Sequence, residues 1–270
     1  MMKRQWQTRM IAGAALITCF MAAGMAAPRI NITVQAEQPK PISADMFGIF
    51  FEDINYAADG GLYAELVQNR SFEYSRGDNR NWHSLSYWSV LESRPGQVLV
   101  TIETEKPLNA NNPHYAVVAV HTAGERNGLS NEGFSGIVVK GGDRYDVSLF
   151  ARVFSGSPKS LLVRVETAEG EVLGQARMMG LKDEWTKHTA VIQAGADATN
   201  ARLVVLVEGV GIAGLDMISL FPQKTFKNRP NGLRPDLAQT LADLKPSFIR
   251  FPGGCVAHGD GLENMYRWKE

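Results

Sequence analysis

A chain of 270 residues that is 44% hydrophobic and 9% aromatic has room for one large or two ordinary domains, and its composition excludes a disordered tract. Its 28 basic residues balance its 28 acidic ones, and without Lys3, Arg4 and Arg9 the balance is 25 against 28, a net charge of −3. That excludes an electrostatic case for nucleic acid or an anionic membrane surface as partner. His83, His114, His121, His188 and His258 show no zinc-site spacing, so neither a metal nor any other cofactor is expected.

Taken in order, the chain opens with Lys3, Arg4 and Arg9 ahead of an uncharged run from Met10 to Ala26, with small residues at Gly24 and Ala26 where a signal peptidase reads. A secretory signal cut near Ala26 is expected, giving a secreted or periplasmic protein with no membrane attachment after cleavage. The run is short for a membrane span and no basic stop follows it. Cys19 leaves with that segment, so Cys255 is the only cysteine expected in the mature chain and no internal disulfide forms.

Ile30 to Val34 alternates apolar and polar residues and predicts a short, half-exposed strand, before Pro39 and Pro41 break the chain. The apolar run Phe47 to Phe51, closed by Glu52 and Asp53, predicts a strand buried on both faces whose polar end carries Glu52. Past Gly60-Gly61, Leu62 and Leu66 stand one helical turn apart beside Val67, which predicts a helix. In α/β folds the ligand sits outside the carboxyl ends of the strands, so Glu52 is a candidate site residue.

From about Asp78 to Pro222, alternating bursts separated by turn residues take over: 98–103, 115–121, 145–154, 161–167, 185–192, 201–207 and 215–221. They predict an antiparallel β-sandwich, a jelly roll. Beyond it, Pro235 and Asp236 open an amphipathic helix with Leu237, Leu241 and Leu244, ended by Pro246; Phe248 to Phe251 then reads as a strand and Pro252-Gly253-Gly254 as a sharp loop. Strand, helix, insert, helix, strand fits the first units of a (β/α)8 TIM barrel. The expected fold is therefore multidomain and mainly β: 1–26 a signal peptide, 27–77 an N-terminal strand and the first βα unit, 78–222 an inserted sandwich, and 223–270 the second helix and strand of a truncated barrel, the chain breaking off before a third strand.

The run FGIFFEDINYAADGGLYAELVQNRSFE and the later RFPGGC at 250–255 resemble the first two catalytic-barrel strands of family 51 glycoside hydrolases, the α-L-arabinofuranosidases. The resemblance implies a secreted, retaining, exo-acting enzyme that releases terminal arabinofuranose from arabinoxylan- or arabinan-type plant cell-wall polysaccharide or from arabino-oligosaccharides. Such enzymes set two carboxyl groups about 5–5.5 Å apart across the scissile bond. The family draws both from later strands, so no acid/base or nucleophile is assigned here and these residues alone are expected to be inactive. By the same resemblance Glu52 accepts hydrogen bonds from arabinofuranose hydroxyls, and Arg250 lies against the nucleophile and keeps it ionised. Gly253 and Gly254 let the backbone pass close to the sugar. Cys255 stands at a substrate-binding position that is asparagine in many relatives. Without the resemblance, Glu52 could equally belong to an ion pair with a neighbour, and Cys255 could be a small buried apolar residue.

Residues 128–152 and 214–222 resemble carbohydrate-binding modules of the family 4 and 9 type. Trp82 and Trp88, with Tyr87 near them, are candidate platforms for stacking on a sugar, whereas Trp185, within an alternating strand, is expected to pack in the core. Asp216 is a residue that could help hold a structural calcium, though sequence alone does not name its partners. The alternative reading is a non-catalytic carbohydrate-binding protein that works through the sandwich.

Overall fold

The computed structural model describes residues 30–262 and 264–267, so the expected signal segment 1–26 lies outside the described residues. The chain divides into two units, residues 1–43 and 44–270. In the first, the strand expected at 30–34 is absent, and Ile30, Ile32 and Val34 are exposed. Three apolar side chains on one narrow face do not hold an extended segment without a ladder partner.

Most of the second unit is two antiparallel sheets. The strands are β2 (Trp88–Leu91), β3 (Val98–Glu103), β4 (Tyr115–Val120), β5 (Gly128–Asn131), β6 (Ile137–Val139), β7 (Arg144–Gly156), β8 (Ser160–Glu166), β9 (Val172–Met179), β10 (Thr186–Gln193), β11 (Ala198–Glu208) and β12 (Gly211–Pro222). One sheet runs β10-β7-β12-β4-β3 and the other β2-β5-β11-β8-β9, with β6 also on β11. Along β7, buried and half-buried positions alternate from Tyr145 to Ala151, which is the period-2 pattern of a strand with one face in a core. Val118, Leu149 and Leu215 from the first sheet and Val163, Leu203 and Val205 from the second lie in one continuous core. The mainly β expectation is met, and every alternating burst falls on a strand.

A third, two-stranded sheet pairs β1 (Ile49–Phe50) in parallel with β13 (Ile249–Arg250), in the register Ile49↔Ile249 and Phe50↔Arg250. Helix α1 (Pro235–Asp243) precedes β13, with Pro235 opening it and Asp236 in its first turn, as the sequence predicts. The run 47–51 is not buried on both faces, however: Phe50 is 52% and Ile249 62% exposed. Two strands without a third or a covering layer leave much of their apolar surface in water.

The helix expected at 62–67 does not form. Its backbone donors are taken elsewhere: Leu66 N–H goes to the carbonyl of Leu220 on β12 and Ala64 N–H to that of Gly232. The side chain of Glu65, 1% exposed, accepts from the N–H groups of Leu66, Val67 and Leu220 and from the Ser219 hydroxyl. Arg70 stands 3.5 Å from the same carboxylate. Asn131 clamps the Gln68 peptide from both sides, accepting its N–H and donating to its carbonyl. Asn69 and Phe72 take left-handed backbone angles, φ 53° and 59°, that no helix tolerates. Val67 and Phe72 are thereby delivered into the sandwich core, upstream of residue 78.

These contacts give two expected outcomes. Glu65→Ala removes a fully buried acceptor and strands its donors, so urea unfolding should register a loss of about 3–5 kcal/mol. Asp216 is 1% exposed, its Oδ1 accepts from Met217 N–H, and its Oδ2 has no partner among the described residues. Burial first, and the nearby Glu73 charge after it, push its carboxyl up to about 7. A carboxyl raised in the folded state above its unfolded value near 4 contributes stability that is complete at low pH and is lost as pH rises toward 7. Asp216→Asn should therefore raise Tm at pH 8 by about 2–8 °C and leave it nearly unchanged at pH 4, as scanning calorimetry would measure.

Candidate functional site

Glu52 follows β1 at its carboxyl end, and the neighbouring β13 delivers the loop that holds it. Parallel bonds from Phe51 N–H to Arg250 O and from Asp53 N–H to Pro252 O, each 2.9 Å, extend the pairing past the strands. The chain turns through a cis Phe251–Pro252 bond and through Gly253 at φ 147°. A side chain at Gly253 would put its Cβ 2.4 Å from Glu52 Cγ, so both the backbone angle and the contact require glycine. The turn presents Gly254 N–H and Val256 N–H to one oxygen, Glu52 Oε1, at 2.9 and 3.3 Å. Both of these bonds fall on Oε1, and the Cys255 N–H acts more weakly on the same carboxylate.

The Gly254 N–H, then that of Val256, hold the Glu52 carboxyl below its ordinary value against a desolvation that acts the other way; the Cys255 N–H and then the Arg250 charge add smaller favourable contributions. The carboxylate is thus kept ionised and oriented. Arg250 makes no ion pair with it among the described residues. Its guanidinium carbon instead lies 4.4 Å from the centre of the Phe50 ring, its register partner in β1. Cys255, expected as either a sugar contact or a buried apolar residue, is an exposed free thiol at the start of the short helix α2 (Cys255–His258). Glu52 and, some two hundred residues further along the chain, Arg250, Gly254 and Cys255 are therefore gathered at one end of one parallel strand pair.

The two tryptophans part company. Trp88 is 7% exposed, packs on Phe72 and donates its indole N–H to the Asn69 carbonyl, so it is a core residue and not a platform. Trp82 is half-buried, stacks on Tyr74 at 4.1 Å between ring centres and donates to the Tyr87 hydroxyl. Trp185, expected in the core, is instead half-buried just ahead of β10 and outside the core cluster, its ring nearly perpendicular to that of buried Tyr115. Trp82 and Tyr74 line a cleft of about 710 Å³ that also takes in Asp53, Asp59, Glu73 and Tyr56. Tyr266 closes its near end, donating to Asp53 and meeting Phe251 edge-on. Sequence reading missed Tyr56, Tyr74 and Tyr266. The aromatic content of 54–74 was the available signal, but nothing in the spacing says that these rings share a wall with Trp82.

No family model matches the chain. An extracellular exo-α-L-arabinofuranosidase of Streptomyces chartreusis is 39% identical over 97% of this chain and 32% of its own length. α-L-Arabinofuranosidase 1 of Arabidopsis thaliana is 32% identical over 90% of this chain and 36% of its own. An arabinose-bound family 51 α-L-arabinofuranosidase structure superposes with a TM-score of 0.70 at 35% identity, covering 83% of this chain and 36% of that one. The chain spans about a third of the length of the curated relatives it matches. The fold and these relatives agree: the chain has the sequence and the fold of the N-terminal portion of a glycoside hydrolase family 51 α-L-arabinofuranosidase.

Proposed function

We propose that this chain is the N-terminal part of a secreted, retaining exo-α-L-arabinofuranosidase that removes terminal α-L-arabinofuranosyl residues from arabinoxylan- or arabinan-type polysaccharides. The observation that carries the reading is Glu52: an ionised carboxylate, immobilised through Oε1 by two backbone donors, with Oε2 available to accept sugar hydroxyls. That a relative of 35% identity and the same fold is an arabinose-bound family 51 structure supports a pentose as the ligand.

In this reading the parallel β1/β13 pair is the beginning of a (β/α)8 barrel, into which the sandwich, a jelly roll over 78–222, is inserted between 27–77 and 223–270. The exposed apolar faces of Phe50 and Ile249 are what such a pair presents before further strands pair with it. The chain's own contribution is binding and orientation. Glu52 grips the ring hydroxyls, Gly253 and Gly254 keep the loop close, Cys255 stands exposed next to that loop, and the fixed positive charge of Arg250 favours the ionised form of a carboxylate nucleophile brought beside it. The acid/base and nucleophile glutamates are expected on barrel strands outside these residues. The Streptomyces relative is named as extracellular, which supports secretion.

Two substitutions test the sugar contact. Glu52→Gln exchanges an acceptor oxygen for a donor nitrogen and removes the charge, and L-arabinose affinity measured by titration calorimetry should fall at least about tenfold. Gly253→Ala, with φ at 147° and its Cβ driven against Glu52 Cγ, should lower the same affinity through displacement of the carboxylate. Unchanged arabinose binding in both variants would remove Glu52 from the site.

A further inference from the structure

Glu52 and Asp53 are consecutive residues at the end of β1, so their side chains leave the chain on opposite faces. Glu52 shares its face with Phe50 and Arg250, and Asp53 shares the other with Phe251 and Tyr266. The donors on the Glu52 carboxylate come from a turn that contains Gly253 and Gly254 and opens the four-residue helix α2. Successive glycines leave such a turn the most backbone freedom, so a contact outside it has to keep its N–H groups on the carboxylate.

The opposite face supplies that contact. Asp53 accepts from Ala58 N–H through Oδ1 at 3.1 Å and from the Tyr266 hydroxyl through Oδ2 at 3.3 Å. Tyr266 also donates its backbone N–H to the carbonyl of Ala257, the residue after Val256, at 3.3 Å. A closed circuit results. It runs from Glu52 Oε1 to Val256 N–H, along the chain to Ala257 and across to the Tyr266 backbone. From there it passes through the Tyr266 side chain to Asp53, one peptide bond from Glu52. The Tyr266 ring meets Phe251 edge-on at 5.9 Å, which fixes where its hydroxyl points. Asn264 keeps the segment folded: its Oδ1 accepts from Asp260 and Gly261 N–H at 2.9 and 3.2 Å, and its amide donates to the Gly77 carbonyl at 3.0 Å.

We propose that Tyr266 is a positioning residue for Glu52: its hydroxyl on Asp53 and its N–H on Ala257 clasp the loop after β13 to the loop after β1, and so hold the Gly254 and Val256 N–H groups on the carboxylate. Its bearing on the ligand rests on the reading of Glu52 as a sugar contact. A carboxylate that keeps both bonds offers one orientation to a sugar hydroxyl. One that loses them samples its other rotamers, and affinity falls by the cost of ordering it again.

The test is Tyr266→Phe in the chain, which deletes one hydroxyl, leaves the ring on Phe251 and changes no charge beside Glu52, where Arg250 stays as it is. By NMR the Gly254 and Val256 amide protons should move upfield as their bonds to the carboxylate lengthen. The Glu52 side-chain carboxyl, followed by carbon NMR, should titrate at a higher pH than in the wild type, because fewer N–H donors favour its ionised form. L-Arabinose affinity by titration calorimetry should fall about three- to tenfold. Ile192→Val, in the sandwich core, separates positioning from general destabilisation: it should lower Tm and leave the Glu52 titration in place. The proposal is overturned if the two amides and the Glu52 titration are unmoved in Tyr266→Phe, or if Ile192→Val moves them equally. It is also overturned if the wild type binds arabinose and Tyr266→Phe binds it within twofold. A wild-type chain that binds no arabinose removes the sugar role of Glu52 alone, and the amide shifts and titration then decide whether Tyr266 holds it.

Discussion

A single buried carboxylate determines how the strand-end loops meet the sandwich. Glu65 sits in a segment whose apolar spacing favours a helix, yet its side chain gathers the peptide N–H groups of Leu66, Val67 and Leu220 and the Ser219 hydroxyl. Once those donors are committed to a side chain and to β12, the i to i−4 ladder has nothing left to close with. The segment becomes a strap across the edge of the sandwich, and Val67 and Phe72 enter its core. A carboxyl group buried to this degree is tolerable only because both its oxygens are hydrogen-bonded.

That strap decides where the cleft is. It leads from the loop after β1, through Tyr56 and Asp59, to Glu73 and Tyr74, and Tyr74 then stacks on Trp82 from the start of the sandwich. One wall is thus built by the strand-end loop and the other by residues that sequence reading assigns to a different domain. Glu52 and Glu65 are thirteen positions apart and both accept backbone N–H groups, but burial divides their chemistry. Glu65 is sealed and has no capacity left for a ligand. Glu52 is half-exposed, and its carboxyl is held below the ordinary range by the Gly254 and Val256 N–H groups.

Local periodicity read the sandwich well wherever one strand face is apolar and the other polar, as in β3 and β7. It passed over β5, Gly128–Asn131, which is wholly buried although its residues are mostly polar or small. Gly128 is there because its backbone runs so close to β11 that a Cβ would fall 2.0 Å from the Val205 carbonyl, and Asn131 because its amide serves Gln68 and Tyr87. Both are tertiary demands with no signature along the chain. The same limit explains the two tryptophans. Trp82 and Trp88 are six residues apart in similar surroundings, and only the fold puts Trp88 against Phe72 and leaves Trp82 at a cleft.

By itself the sequence determined the period-2 bursts and hence a mainly β chain, the helix at Pro235–Asp243 with its proline start, and the candidacy of Glu52 and the PGG loop as polar ends of apolar runs. These follow from forces acting between near neighbours: side-chain alternation, capping, and the fixed φ of proline. Only the tertiary structure decided that β1 and β13 lie side by side in register, that 62–72 is a strap and not a helix, and that Tyr74 and Trp82 share a wall. Each of those is set by hydrogen bonds and contacts between groups far apart in the chain, which compete with the local preference and, where a buried donor or ring would otherwise go unpartnered, override it.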